Sequence, residues 1–410
     1  MRVLIPLFSP PTGTWGSLTR LMALARHFRD RGDSPAFCAS GFVHRTLIEK
    51  GFASFETPGT TMLGLPRPVS DLLLARSQRM APPVKEGRDL GNVWLLYFFT
   101  GLAKTSYLRR LAAAEMRAVR AFKPDLLLTE MDPGAYLVAR LTGLPLVTTY
   151  ASVARLGIGS FFWRKVRKAM NDVLRRHGVK VDSNPEDLAF GAGVLKLIPS
   201  IPELDGTDPS RGDVCYTGNL LEPVQAAGAR FLPEPGKLYV FCYFGTGSVS
   251  LDRAERVLPR VFNENSDAIC LVAAQSVKRD FAVGNVRFTS YVPARDLLPH
   301  CFATMCHGGL NTVTQSLEAG VPLLVFPGAI FERRANARSV ERAGGGFMGE
   351  RSDFNPAWIK DKLARIDALS GSVRSLRAAF RRYRGPAEAY ERIKRWLERA
   401  KALPETAGRV

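Results

Sequence analysis

A run of β-branched and leucine residues, Arg2–Phe8, passes through a loop holding Pro10, Pro11, Gly13 and Gly16 straight into a helical pattern from Leu18 to Arg31. A strand that feeds a glycine-bearing loop and then a helix must bury its apolar run between helices, which constrains the chain to an α/β layer architecture. The unit recurs. Pro35–Ser40, Asp125–Thr129 and Leu146–Tyr150 read as further strands, with a helix at Gly134–Thr142 between the last two. Such alternation predicts a parallel sheet with helices on both faces.

From Pro199 to Pro235 the composition shifts to Pro, Gly and Asp, as expected of a connection between domains. Strand-loop-helix units then resume at Leu238–Phe244, Ile269–Ala273, Val286–Phe288, Ala303–Cys306 and Leu323–Phe326. The expected organisation is therefore two Rossmann-like, doubly wound parallel-sheet domains. Residues 1–210 form the first and 211–385 the second, and 386–410 form a C-terminal helix free to pack back on the first domain. Ligands of such sheets bind beyond the carboxyl ends of the strands, where the glycine loops lie.

Composition narrows the class. With 410 residues, 46% apolar and 23% charged, the chain can bury two cores. Met1–Phe8 lacks the long apolar core of a secretory signal, and Val93–Leu111 is interrupted by Lys104, Arg109 and Arg110, which excludes a membrane span there. The six cysteines show no zinc-type spacing and sit in apolar runs, as reduced core residues of a cytoplasmic protein do. No cluster of potential ligands has metal-binding spacing, so no metal is expected. A net charge of +19 is concentrated in Arg164–Lys180 and Arg374–Lys401 without any nucleic-acid motif. Solvated helix faces, a phosphate-bearing ligand and an anionic membrane surface all fit that excess. His27, among charged residues of a helix, reads as a surface residue.

The most informative segment is Cys306–Gly346, which opens at a strand end with His307-Gly308-Gly309 and enters a helix through Asn311 and Thr312. Small residues let a ligand approach the backbone, and the free N–H groups and dipole of a helix start favour an anion such as a diphosphate. A tight turn with an ordinary N-cap reads the same residues differently. Residue after residue, however, the segment resembles the donor-binding signature of the nucleotide-sugar glycosyltransferase superfamily, which includes the UDP-glycosyltransferases and antibiotic glycosyltransferases. His307, Gly309, Asn311 and Thr312 match its phosphate positions. Gly320-Val321-Pro322 match its structural turn, and Glu332, Asn336 and Ala337 the positions that follow.

The resemblance implies the twin-Rossmann GT-B fold, with the two domains facing each other. It also implies a UDP- or dTDP-sugar co-substrate, and no cofactor or metal. His307 would donate a hydrogen bond to the diphosphate, and Glu332 would accept from hydroxyls of the donor sugar. Gln315 stands where the family has a ribose-binding Glu, and Arg333 where it has Gln. Arg333 leaves room for an acidic donor or for a salt bridge with Glu332. Tyr291 and Val292 match a loop that stacks on the base and reads its edge, although Ala294 replaces the usual Gln and a core tyrosine would look alike. Gly245, Thr246 and Ser248 resemble the glycine loop near the diphosphate, and Gly308 of the His-Gly-Gly turn joins the residues expected to bind the donor.

In the first half, alignment of the first helix puts Gly16, Ser17 and Arg20 where the family has Gly, the basic His and Pro. A hydroxyl is too weak an acid to serve alone as the base. Glu130 and Asp132, after the strand Leu126–Thr129, are the candidates to take the acceptor proton, directly or through a water near Ser17, with inversion at the anomeric carbon. The acceptor is expected to be an apolar natural product or a lipid, met by Trp94–Tyr107, by Gly159–Lys168 and by a long loop at Pro58–Lys85. Aromatics beside Arg and Lys also suit peripheral contact with anionic membrane. A non-catalytic nucleotide-sugar-binding helper and a nucleotide-sugar epimerase are the competing functions.

Overall fold

Because parallel strands are covered on both faces, they read as unbroken apolar runs rather than alternating ones. The computed structural model, which describes residues 1–9, 15–80, 87, 89, 91–221, 233–245, 248–264 and 266–402, contains two such sheets. The first has seven strands in the order β3-β2-β1-β4-β5-β6-β7. They are β1 (Arg2–Pro6), β2 (Ser34–Ala39), β3 (Ala53–Glu56), β4 (Leu126–Thr129), β5 (Leu146–Thr149), β6 (Val194–Ile198) and β7 (Val214–Tyr216), all parallel. The second runs β10-β11-β9-β8-β12-β13-β14. Its members are β8 (Leu238–Tyr243), β9 (Ala268–Ala273), β10 (Phe281–Val283), β11 (Val286–Thr289), β12 (Cys301–Cys306), β13 (Leu323–Val325) and β14 (Gly346–Met348). Among the described residues, only β10 pairs antiparallel, at the edge.

Strand order reverses between β1 and β4 in the first sheet and between β8 and β12 in the second. Loops leaving neighbouring strands at such a point diverge and open a crevice. The first turn of the helix after β1 carries Gly16 and Ser17 and the loop after β4 carries Glu130; the loops after β8 and β12 carry Gly245 and His307. The topology thus gathers the residues singled out in the sequence at two crevices. The architecture is that of two facing Rossmann-like domains.

Several expectations need correction. The first sheet does not end at residue 210, because Val214–Tyr216 pairs with Lys196–Ile198 as its outermost strand. β6 escapes notice in the sequence because Lys196 interrupts its apolar run. Its ammonium is buried and satisfied by Asp213 at 2.8 Å and by the carbonyls of Gly191 and Val194. Much of Pro58–Lys85 is not a loop, since a helix spans Arg67–Met80; residues 81–85 lie outside the described residues. Trp94–Tyr107 divides between the helices Val93–Phe99 and Thr105–Phe122.

The last helix, Pro386–Ala402, crosses from the second sheet to lie on the first helix, Trp15–Asp30. Ala389, Tyr390, Ile393 and Leu397 join the core beneath it. His27 is accordingly half-buried, edge-on to Tyr390 at 5.4 Å, rather than a surface residue. All six cysteines are free thiols. Among the described residues, no helix is long and apolar enough to cross a membrane.

Candidate active site

The first helix begins at Trp15, so Gly16 and Ser17 occupy its first turn instead of the preceding loop. Ser17 and Arg20, three residues apart, therefore share one face. Both point at Glu130, which follows β4. Ser17 Oγ donates to Glu130 Oε1 and Arg20 Nη2 donates to the same oxygen, while Arg20 Nε and Thr149 Oγ1 donate to Oε2 at 3.2 and 2.7 Å. Burial by itself would raise the Glu130 pKa, but the Arg20 charge and these donors outweigh it and hold the carboxyl below its ordinary range. Burial would likewise depress Arg20, and Glu130 reverses that. Glu130 is an ionised carboxylate surrounded by donors.

Asp132 is placed differently. It is buried and N-caps the helix Pro133–Thr142, its Oδ1 accepting from the N–H groups of Gly134 and Ala135 at 2.8 and 3.4 Å. Burial raises its carboxyl to about 6 despite those bonds. Neighbouring Glu115, fully buried, is raised further by desolvation and by Asp132. Of the two acids picked from the sequence, only Glu130 is hydrogen-bonded to Ser17.

In the second domain His307 follows β12, its ring wedged between glycines. A Cβ on Gly309 would stand 2.6 Å from His307 Nε2, and one on Gly245 3.1 Å from Cε1. Gly308, at φ +80°, leaves 2.7 Å between its absent Cβ and the Arg333 carbonyl oxygen, so no side chain fits. His307 Nδ1 lies 3.2 Å from the Tyr243 carbonyl oxygen. A carbonyl only accepts, so Nδ1 carries the proton and Nε2 of the neutral ring keeps its lone pair. Burial first, and then the Arg333 charge, lower the ring to about 4. The neutral ring thus presents an acceptor at Nε2, and donation to a phosphate from that atom requires a second proton.

The helix Leu310–Ala319 starts immediately after Gly309 with no side-chain cap, leaving the N–H groups of its first turn pointing out of its end. Asn311 and Thr312 sit in that turn. Gln315 folds back, its Nε2 donating to the Asn311 carbonyl at 2.9 Å. Asn336 Nδ2 donates to the Gly308 carbonyl at 2.9 Å and ties the helix Phe331–Arg342 to the turn. That helix carries Glu332 in its first turn, open to solvent, and Arg333 half-buried behind it. Desolvation by the surrounding cleft, and then the Glu130 charge, raise Glu332 against the pull of Arg20 and Arg333. Desolvation lowers Arg333.

Ser248 closes the glycine loop through a 3.2 Å bond to the Phe244 carbonyl, while Thr246 lies outside the described residues. Tyr291 is 74% exposed and is no core tyrosine. Val292 packs on the apolar cluster beneath it.

The two crevices meet. Arg20 Nη1 donates to Asn311 Oδ1 at 2.6 Å, and Asn311 Nδ2 reaches the Gly16 carbonyl at 3.5 Å. Asp89 of the first domain receives Arg334 and Arg338, each at 2.7 Å, beside Glu332. Sequence reasoning gave Arg20, Thr149 and Asp89 no role. Only the spacing of Arg20 from Ser17 could have drawn attention to it.

Comparison with known proteins places this geometry. Residues 256–382 match the family described as erythromycin biosynthesis protein CIII-like, C-terminal domain. The elloramycin glycosyltransferase ElmGT of Streptomyces olivaceus is 27% identical over 407 residues, 97% of this chain and 98% of that protein. The calicheamicin glycosyltransferase CalG4 superposes with a TM-score of 0.70 at 18% identity, covering 98% of this chain and 99% of its own. The spinosyn rhamnosyltransferase SpnG, solved with thymidine diphosphate, gives 0.67 at 18% identity over 96% and 100% of the two chains.

Proposed function

We propose that this chain, a GT-B glycosyltransferase of the antibiotic glycosyltransferase family, moves a sugar from a dTDP- or UDP-sugar to a hydroxyl of an apolar aglycone, with inversion at the anomeric carbon. One observation carries the reading. The carboxylate with its hydroxyl partner, Glu130 and Ser17, sits across a single guanidinium from the uncapped helix start at Asn311. A proton acceptor and an anion site at this separation suit attack by an oxygen on one side of a sugar and departure of a diphosphate on the other.

In this reading the diphosphate rests on the first-turn N–H groups, with Thr312, Gly309 and a protonated His307 around it. Tyr291 stacks on the base, and the Val292 backbone reads its edge. Gly245, Gly308 and Ser248 shape the floor, Gln315 turns toward the ribose, and Glu332 and Arg333 face the sugar. Ser17 Oγ accepts the acceptor proton while passing its own to Glu130. Asp132 acts through the fold of this loop, as its cap. That a fold neighbour was captured with thymidine diphosphate favours dTDP over UDP.

The acceptor enters over an apolar and basic face of the first domain. Phe99, Leu156, Ile158 and Phe161 are exposed there, and Lys165 lies over the Phe161 ring at 5.2 Å. This face borders the cleft, since a Cβ on Gly91 would come within 3.8 Å of Phe331, the residue before Glu332. A face of this make-up fits an apolar acceptor presented at an anionic membrane.

The test is release of nucleoside diphosphate from a panel of dTDP- and UDP-sugars, with and without hydroxylated apolar acceptors, and NMR of the product's anomeric proton. Acceptor-stimulated release with inverted configuration is expected. Binding without turnover for every pair would replace the enzyme by a helper, and conversion of the donor sugar without acceptor would replace it by an epimerase.

A further inference from the structure

Arg20 belongs to the first domain, yet it reaches the start of the helix Leu310–Ala319 in the second. Its side chain is 10% exposed. A guanidinium has five N–H groups in a rigid plane. Nε and Nη2 each give one to Glu130, and Nη1 gives one to Asn311. The remaining N–H on Nη1 and the remaining one on Nη2 find no acceptor among the described residues. Both lie off the Nε–Nη2 edge that Glu130 covers.

Charge adds to geometry. Glu130 neutralises Arg20 within the first domain, and Glu332 adds a second negative charge near it from across the cleft. A cation so held keeps its position when an anion arrives, which is the condition for electrostatic stabilisation without reorganisation. Asn311, which Arg20 already touches, lies in the turn whose free N–H groups form the anion site.

We propose that Arg20 is a ligand of the donor's diphosphate contributed by the acceptor-side domain, and that it stabilises the leaving group during transfer. The proposal rests on the donor-site reading above. As the bond between the anomeric carbon and the diphosphate oxygen breaks, its electron pair leaves with the nucleoside diphosphate. The acceptor oxygen forms its bond to the same carbon, and its proton passes to Ser17 and Glu130. Negative charge grows on the departing diphosphate while Glu130 loses its own, so Arg20 shifts its partnership from carboxylate to phosphate. One residue then links departure of the diphosphate to uptake of the proton, and its bond to Asn311 holds the two domains in register for both.

Calorimetry with thymidine diphosphate, inorganic pyrophosphate and thymidine tests this on the full chain. Arg20→Leu combined with Glu130→Gln removes both buried charges together. The double variant is expected to lose roughly ten- to hundred-fold in affinity for thymidine diphosphate and pyrophosphate, with thymidine unchanged and cooperative melting retained. Equal diphosphate affinity in a cooperatively melting double variant overturns the role of Arg20, since a purely structural residue would move only the melting point. Should that variant not fold, Arg20→Lys keeps the charge without the fork. A several-fold weaker pyrophosphate affinity is then expected, and wild-type affinity overturns the proposal. A wild-type chain that binds neither diphosphate defeats the donor-site reading itself, and Arg20 falls with it.

Discussion

His307 Nδ1 faces the backbone carbonyl of Tyr243 at 3.2 Å, and this contact fixes which nitrogen of the ring can address a ligand. With Nδ1 committed as a donor, Nε2 bonds a phosphate oxygen only when the ring is protonated. In the ligand-free chain protonation occurs near pH 4. A bound diphosphate raises that value, so binding takes up a proton. Donor affinity is therefore expected to rise as pH falls from 8 to about 5.5, by at most about tenfold per pH unit. Titration calorimetry with an intact nucleotide sugar, whose phosphates do not titrate in this range, checks it. His307→Gln should flatten the profile; a flat wild-type profile would refute the assignment.

Glu130 and Arg20 form a buried pair, with side-chain exposures of 7% and 10%. Breaking one partner of such a pair strands the other, at a cost of about 3–5 kcal/mol. Glu130→Ala should therefore lower both stability and transfer. Ser17→Ala removes a proton carrier without stranding a charge, and should slow acceptor-dependent transfer roughly 100-fold while leaving the melting point within a few degrees of wild type. Steady-state rates beside thermal melts separate the two effects. An unimpaired kcat in Ser17→Ala would remove Ser17 from the chemistry.

Asp132 predicts a pH effect on stability alone. Its folded-state carboxyl titrates near 6 against an ordinary value of 3.8, because burial penalises the anion. The folded state thus holds this proton more tightly than the unfolded chain, and the stability it contributes is complete below about pH 4 and lost as pH rises through about 6. His307, whose pKa is lowered, acts in the opposite sense across an overlapping range, so the informative quantity is a difference between variants. Asp132→Asn keeps a capping oxygen. Its melting temperature relative to wild type should climb as pH increases from 4 to 7. A constant difference would show that Asp132 does not titrate in this interval.

The exposed aromatic and basic face predicts partition onto membranes. Phe99 and Phe161 are 44% and 52% exposed beside Lys165. Vesicles of mixed neutral and anionic phospholipid should pull the chain down at low salt and release it at high salt, when charges are screened beyond a few ångströms. Neutral vesicles should retain little, and Phe99→Ser with Phe161→Ser should reduce the bound fraction several-fold. Wild-type chain that stays in the supernatant with anionic vesicles would end this reading.

Local chemistry in the sequence determined a good deal. The strands at both switch points, the glycines around His307 and the uncapped helix at Asn311 depend on propensities and turn geometry within a few residues, so short windows reveal them. The edges of the sheets were harder to read. β3 and β7 are short and β6 carries Lys196, whose charge is acceptable only because Asp213 and two carbonyls reach it. Tertiary structure alone decided which acid meets Ser17. Glu130 and Asp132 are two residues apart and chemically alike, but the strand end directs one toward Arg20 and Thr149, and the next helix claims the other as its cap. It also decided the place of Arg20, whose partners lie 110 and 291 residues away. No sequence window spans that distance, and a guanidinium acquires its role from whichever groups the fold brings within hydrogen-bond reach.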